Sequence, residues 1–153
     1  MRRTPLLIDQ PEPAIARLFT LRTRIAGRNL LCQPQTARNL LAAAYHCHAV
    51  GDWHCHLFLL LPDHVHAVAA LPAGVEVDEW LRRFKQYATR HTGVVWQRQG
   101  DHQPLHDARE IAFATDYIRR NPVRLGLAAT IEEWPWQWAP RPLLARQDLA
   151  SKM

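Results

Sequence analysis

The chain has 153 residues, 48% of them hydrophobic and 22% charged, which fits one domain around one core and argues against disorder. Nineteen Lys and Arg against 14 Asp and Glu leave a formal net charge of +5, which points to a polyanionic partner such as nucleic acid or an acidic membrane surface. Three cysteines without a C-x-x-C pair argue against a disulfide framework and for a reducing, cytoplasmic setting.

Residues 1–20 carry Arg2, Arg3, Glu12 and three prolines, so no signal peptide is expected. Apolar runs such as Leu57 to Pro62 are too short to cross a bilayer. No repeat or linker divides the chain. One domain over 1–153 is expected, with an irregular arm at about 1–14 and a tail at about 128–153.

In chain order, Ala16 to Ile25 alternates Leu18, Thr20 and Arg22 against Phe19, Leu21 and Thr23, the period of a strand. Gln33 to Ala49 has helical spacing at Leu40, Leu41, Ala44 and Cys47, with Gly51 as a stop. Tyr45 lies near that stripe and is expected in the core. Trp53 to Leu61 and His64 to Leu71 read as two strands joined by a Pro62-Asp63 turn. Val77 to His91 is an amphipathic helix with Val77, Leu81, Phe84 and Ala88 inward and Gly93 ending it. A further strand is expected within Val94 to Leu105.

Asp107 and Glu110 form a D-x-x-E capping box ahead of a stripe of Ile111, Ala114 and Ile118. Because a residue before proline avoids the α region, this helix should end near Asn121, just before Pro122. The order β-α-β-β-α-β-α predicts an α+β fold: a ferredoxin-like (RRM-like) antiparallel sheet with helices on one face, followed by a C-terminal tyrosine-bearing helix.

Two short features carry chemistry. His64-Val65-His66 sits in a strand, where alternation puts both imidazoles on one face, with Cα atoms roughly 6.5–7 Å apart. That is within reach of one shared metal ion. The plainer alternative is a pair of solvent-facing histidines. Tyr117 and Asn121 are i and i+4 on one helix and project from the same side. The Asn121 amide oxygen is a candidate third ligand for Mg²⁺ or Mn²⁺, and Tyr117 a candidate nucleophile one turn away. Here the alternative is a tyrosine packed beside the core, with Asn121 capping the helix.

Tyr87 is the reserve nucleophile. His46-Cys47-His48 and His54-Cys55-His56 invite a zinc reading but lack paired-ligand spacing. Arg82, Arg83, Lys85, Arg90, Arg119, Arg120 and Arg124 are candidate DNA-phosphate contacts, or else a solvated basic face. Trp96, Trp134, Trp136 and Trp138 either stack on unpaired bases or, as large aromatic side chains more often do, pack the tail onto the body.

Taken together these segments resemble a known family. Leu60-Leu61-Pro62-Asp63-His64-Val65-His66 resembles the MPNHVH or LPDHLH segment of small bacterial tyrosine transposases of the HUH class. Tyr117-Ile118-Arg119-Arg120-Asn121-Pro122-Val123-Arg124 with Gly126-Leu127 resembles their YIxxNPVxxGL segment. Trp96-Gln97 and Trp134-Pro135-Trp136 match further short segments, and the branch most resembled is the REP-associated tyrosine transposases.

The resemblance implies a ferredoxin-like core and a divalent metal on His64 and His66, with Asn121 as third ligand. It implies that Tyr117 attacks single-stranded DNA beside hairpin-forming palindromic repeats, leaving a 5′-phosphotyrosine link and a free 3′-hydroxyl. Gly100-Asp101-His102-Gln103-Pro104 departs from the family pattern. Two other readings stay open: a hairpin- or single-strand-binding protein of the same fold that does not cut, and an unrelated basic α+β domain. Monomer and homodimer are equally compatible with the sequence.

Overall fold

The computed structural model describes residues 15–99 and 101–140. The arm expected at about 1–14 and the tail beyond residue 140 lie outside the described residues. In chain order the elements are β1 (Ala16–Arg22), α1 (Pro34–Ala49), β2 (His54–Leu61), β3 (His64–Ala70), α2 (Val77–Thr92), β4 (Asp101–Leu105), α3 (Ala108–Arg119), α4 (Asn121–Arg124) and β5 (Gln137–Trp138).

The strands form one antiparallel sheet in the order β4-β1-β3-β2-β5. A β-α-β-β-α-β path with its first four strands in the order 4-1-3-2 is the ferredoxin-like arrangement, so the expected fold class is the observed one. The tyrosine-bearing helix α3, however, does not join α1 and α2 on their side of the sheet. It covers the other face.

Strand alternation explains how both faces come to be buried. Phe19 and Leu21 of β1, Phe58 and Leu60 of β2, and Val65, Ala67 and Ala69 of β3 pack against Leu40, Ala44, Trp80, Leu81, Phe84 and Ala88 of α1 and α2. On the opposite face, Leu57, Leu59, Leu61 and Val68 meet Ala114 and Ile118 of α3, together with Trp134. β2 changes register between Cys55 and Leu57, a bulge at His56 that lets Cys55 and Phe58 share one face.

Several boundaries moved for local reasons. β1 stops at Arg22 rather than Ile25 because Thr23 turns the chain: its hydroxyl donates to the Ile25 carbonyl at 2.8 Å and to the Asp63 carbonyl at 3.2 Å. The strand expected within 94–105 is only Asp101–Leu105, with Trp96 making an isolated bridge to Thr23. Trp80, outside the expected apolar stripe, is buried and stacks on Trp53 at 4.6 Å. Tyr45 is 56% exposed, lying edge-on to Trp138 rather than in the core.

Helix ends follow their chemistry. Asp107 accepts from the Glu110 N–H at 2.8 Å, as the capping box predicts, while the Glu110 carboxylate accepts from the His106 N–H at 2.7 Å. Gly93 ends α2 with φ 78°, a left-handed conformation that glycine adopts without strain. α3 ends at Arg119, and Asn121-Pro122 opens a new turn. Proline is tolerated there because its missing N–H is one the first helical turn leaves unbonded anyway. No helix among the described residues is long and apolar enough to cross a membrane.

Ile118 is 1% exposed and pins α3 to the sheet next to Tyr117. Ile118→Ala should cost about 2–5 kcal/mol of stability by urea unfolding. Hydrogen exchange should rise more in 108–124 than in α1.

Candidate metal and nucleophile site

His64 and His66 stand where β3 leaves the Pro62-Asp63 turn, paired across to Leu61 and Leu59 on one side and to Arg22 and Thr20 on the other. That turn is anchored: the Thr23 N–H donates to the Asp63 carbonyl at 3.0 Å, and the Leu31 N–H to the Pro62 carbonyl at 3.1 Å. The two imidazoles share the α3 face of the sheet, with ring centroids 4.8 Å apart and planes nearly perpendicular. Val65 between them is fully buried on the other face.

Each ring is held through Nδ1. His64 Nδ1 lies 2.9 Å from the Asp63 carboxylate, and His66 Nδ1 lies 3.1 Å from the Thr20 hydroxyl. The side-chain partners of both rings are on Nδ1, and the His66 ring also donates to the Phe19 backbone. With Nδ1 protonated and donating, each Nε2 keeps a lone pair for a ligand, the usual way a metal-binding histidine is oriented.

Burial, the neighbouring His64 and the Arg22 guanidinium push the His66 pKa down from 6.5 to about 4, so its ring is neutral across the physiological range. The His64 hydrogen bond holds the Asp63 carboxyl below its ordinary range. This donor set fits a divalent ion. Among the described residues no group of three His, Cys, Asp or Glu is placed to hold a metal, so a further protein ligand to this pair would have to be of another kind, such as the Asn121 amide.

Tyr117 lies on the same side of the sheet as the histidine pair. Its ring is 53% exposed, because Ile118, one residue on, takes the inward position. The Tyr117–Asn121 spacing survives the α3–α4 junction, and one residue spans both. Arg124 donates to the Asn121 amide oxygen and to the Tyr117 carbonyl, the latter at 2.9 Å. Its guanidinium carbon also sits 4.0 Å above the centre of the Tyr117 ring, a cation–π contact. Arg124, a candidate phosphate contact, here bridges the candidate nucleophile and the candidate ligand.

The other basic residues divide. Arg82, Arg83, Lys85 and Arg90 lie on α2, across the sheet from Tyr117 and the histidines. Arg82 and Arg83 pair with Glu79, and Lys85 donates to the Gln97 and Arg98 carbonyls. Arg120 pairs with Asp116 at 3.0 Å. Trp96 and Trp134 are buried, and Trp134 Nε1 donates to the Leu60 carbonyl at 2.9 Å, so both are core residues rather than stacking platforms. Trp136 and Trp138 are partly buried against the same core.

Tyr87 stacks on His46, away from the histidine pair. His48 Nδ1 accepts from the Cys55 N–H, leaving its proton on Nε2 and no lone pair for a metal. Burial pushes the Cys32 thiol up to about 12, and burial with Asp52 pushes Cys47 up to about 11, so neither is a ready nucleophile.

Thr20, Asp63 and Arg22 were missed as site residues by motif reading. The period-two alternation of β1 already put Thr20 and Arg22 on one face. Register alone then set them against His66 and His64.

No protein-family model matches the chain. Over 83 residues it is 28% identical to the REP-associated tyrosine transposase of Escherichia coli (strain K12), a stretch covering 52% of this chain and 50% of that protein. A second curated relative, from Haemophilus influenzae, is 24% identical over 94 residues, covering 50% of this chain and 53% of that one. The chain resembles the REP-associated tyrosine transposases. It spans about half the length of the curated relatives it matches. Its fold matches the solved structure of a REP-associated tyrosine transposase bound to a REP hairpin, with a TM-score of 0.69 and 22% identity over 94% of this chain and 84% of that one.

The His66 shift has a definite sign. The unfolded chain takes up a proton near pH 6.5 and the folded ring does so only near pH 4. Its contribution to stability is therefore complete above the unfolded value and is lost as pH falls toward 4. An NMR titration should show the His66 ring protonating with a midpoint near pH 4.

Proposed function

We propose that the chain is an HUH-type tyrosine transposase, which cleaves and rejoins single-stranded DNA at hairpin-forming repeats through a 5′-phosphotyrosine intermediate. The observation carrying this reading is the shared face: Tyr117 and two imidazoles held through Nδ1 lie on the same side of one sheet. Kinship with the REP-associated transposases supports it, as does the hairpin bound by the solved relative.

In this reading His64 and His66 would hold a Mg²⁺ or Mn²⁺ ion, with the Asn121 amide oxygen, here bonded to Arg124, as the candidate further ligand. Such an ion supplies positive charge to the scissile phosphate and its leaving oxygen. Tyr117 Oη attacks phosphorus and loses its proton to solvent. The bond from phosphorus to the 3′-oxygen breaks, and that oxygen takes up a proton to become a free 3′-hydroxyl. The part of the strand 3′ of the cut stays on Tyr117 through its 5′-phosphate as a phosphodiester, whose bond energy is kept for rejoining when a 3′-hydroxyl attacks in turn. Thr20 and Asp63 act by orienting the imidazoles. Arg119, Arg120 and Arg22 contribute positive charge near the strand.

A second reading, a hairpin- or single-strand-binding protein that does not cut, draws on the Arg124 contacts, which occupy both the Tyr117 ring and the Asn121 oxygen.

The experiment is incubation with labelled, hairpin-flanked single-stranded DNA and Mn²⁺, followed by a denaturing gel. A covalent adduct that disappears in Tyr117→Phe and without metal is expected; an adduct persisting in Tyr117→Phe removes the nucleophile assignment. Hairpin binding with no adduct under any divalent metal favours the second reading. Asp63→Asn should slow adduct formation about 10–100-fold, the usual effect of removing the partner of a metal-bound histidine.

A further inference from the structure

Tyr117 does more than share a side of the sheet with the histidines: it also walls a groove. Phe113 and Tyr117 are i and i+4 on α3, with rings 6.4 Å apart and only 22° from parallel. They are 72% and 53% exposed. Single exposed apolar side chains are ordinary on protein surfaces, but this pair borders an open cavity of about 460 Å³, floored by Leu18 of β1 and Leu105 of β4. That volume is in the range of small-molecule sites.

Its polar rim is sparse and specific. Gln103 of β4 and Arg109 of α3 line it, and neither side chain has a hydrogen-bond or ion-pair partner among the described residues. Glu110, also at the rim, already holds the His106 N–H. The groove thus offers a flat aromatic wall, an amide able both to donate and to accept, and one unpaired guanidinium. An unpaired nucleobase with its phosphate matches each feature: a π-face for the rings, an edge for the amide, a negative charge for Arg109.

We propose that this groove holds one unpaired base of the DNA strand, next to the phosphate presented to Tyr117, with Phe113 as its stacking platform and Gln103 at its edge. The proposal rests on the transposase reading in that it shares Tyr117, and it deepens that reading by placing base recognition between α3 and the β1–β4 edge. The occupant is a base rather than a second copy of the chain because the wall is one pair of rings and the rim sets the unpaired Arg109 guanidinium beside a carboxylate, Glu110, already engaged by the His106 N–H. Continuity with the candidate nucleophile points the same way.

The test compares binding of fluorescent oligo(dT) and oligo(dA) with that of an abasic deoxyribose-phosphate strand of equal length, by fluorescence anisotropy, using the full chain. The wild type should prefer the base-bearing strands by roughly tenfold or more, the size of one stacking contact. Phe113→Ala should remove most of that preference while leaving binding to the abasic strand unchanged, and Phe113→Trp should restore it. Phe113 is mostly solvent-exposed, so neither change should impair folding.

Undiminished base preference in Phe113→Ala overturns the proposal. So does concentration-dependent dimerisation, seen by sedimentation, that Phe113→Ala abolishes with no effect on base preference. The covalent-adduct assay run alongside separates the two readings. Base preference that depends on Phe113 with no adduct leaves the groove standing and the cutting reading fallen. Adduct formed equally fast by wild type and Phe113→Ala, on strands with or without the flanking base, does the reverse.

Discussion

Everything at the site depends on β3 being an interior strand with both faces covered. Its neighbours are β1 and β2, so every residue must serve one of two interiors. Val65, Ala67 and Ala69 enter the core under α1 and α2, while Val68 enters the smaller core under α3. His64 and His66 share the face of Val68. Imidazoles there are tolerable because each has a polar partner, Asp63 or Thr20, and because the buried His66 ring stays neutral. A slip of one residue would turn both rings into the larger core. The Pro62-Asp63 turn, bonded to Thr23 and Leu31, fixes the register.

The second element of the site depends on a crossing. After β4 the chain puts α3 on the face opposite α1 and α2, where Ala114, Ile118 and Trp134 close over Leu57, Leu59, Leu61 and Val68. Helical geometry then places Tyr117, beside the inward Ile118, at the edge of the contact with its ring in solvent. Arg124, one turn beyond Asn121, reaches back to both residues. The same few residues therefore set the stability of α3 and the position of the candidate nucleophile.

Charge is distributed less simply than composition suggests. Among the described residues the basic side chains do not gather on one surface. The α2 cations sit across the sheet from Tyr117; Arg82 and Arg83 are engaged by Glu79, and Lys85 by backbone carbonyls. Arg22 and Arg124 are beside the histidines and the tyrosine. A DNA strand following the α3 face would meet the second group and not the first.

The sequence by itself determined the element order, the common face of His64 and His66, the Tyr117–Asn121 spacing and the α3 capping box. Each is a local or periodic property, set by a repeat of two or 3.6 residues or by a single cap. It could not show which face α3 would take, because Ile111, Ala114 and Ile118 would suit any apolar surface. Nor could it show that Thr20 and Asp63 orient the imidazoles, which follows from strand register. The role of Arg124 was hidden for a related reason: phosphate or protein is an equally good partner for a guanidinium until the packing of α3 and α4 brings Asn121 and the Tyr117 ring within its reach. Tyr45 was misjudged as core because helical phase alone does not say how wide a stripe the sheet can cover. Tertiary structure decided these points because each depends on contacts between residues far apart in the chain, or on how much surface a neighbouring element covers, and neither leaves a period in the sequence.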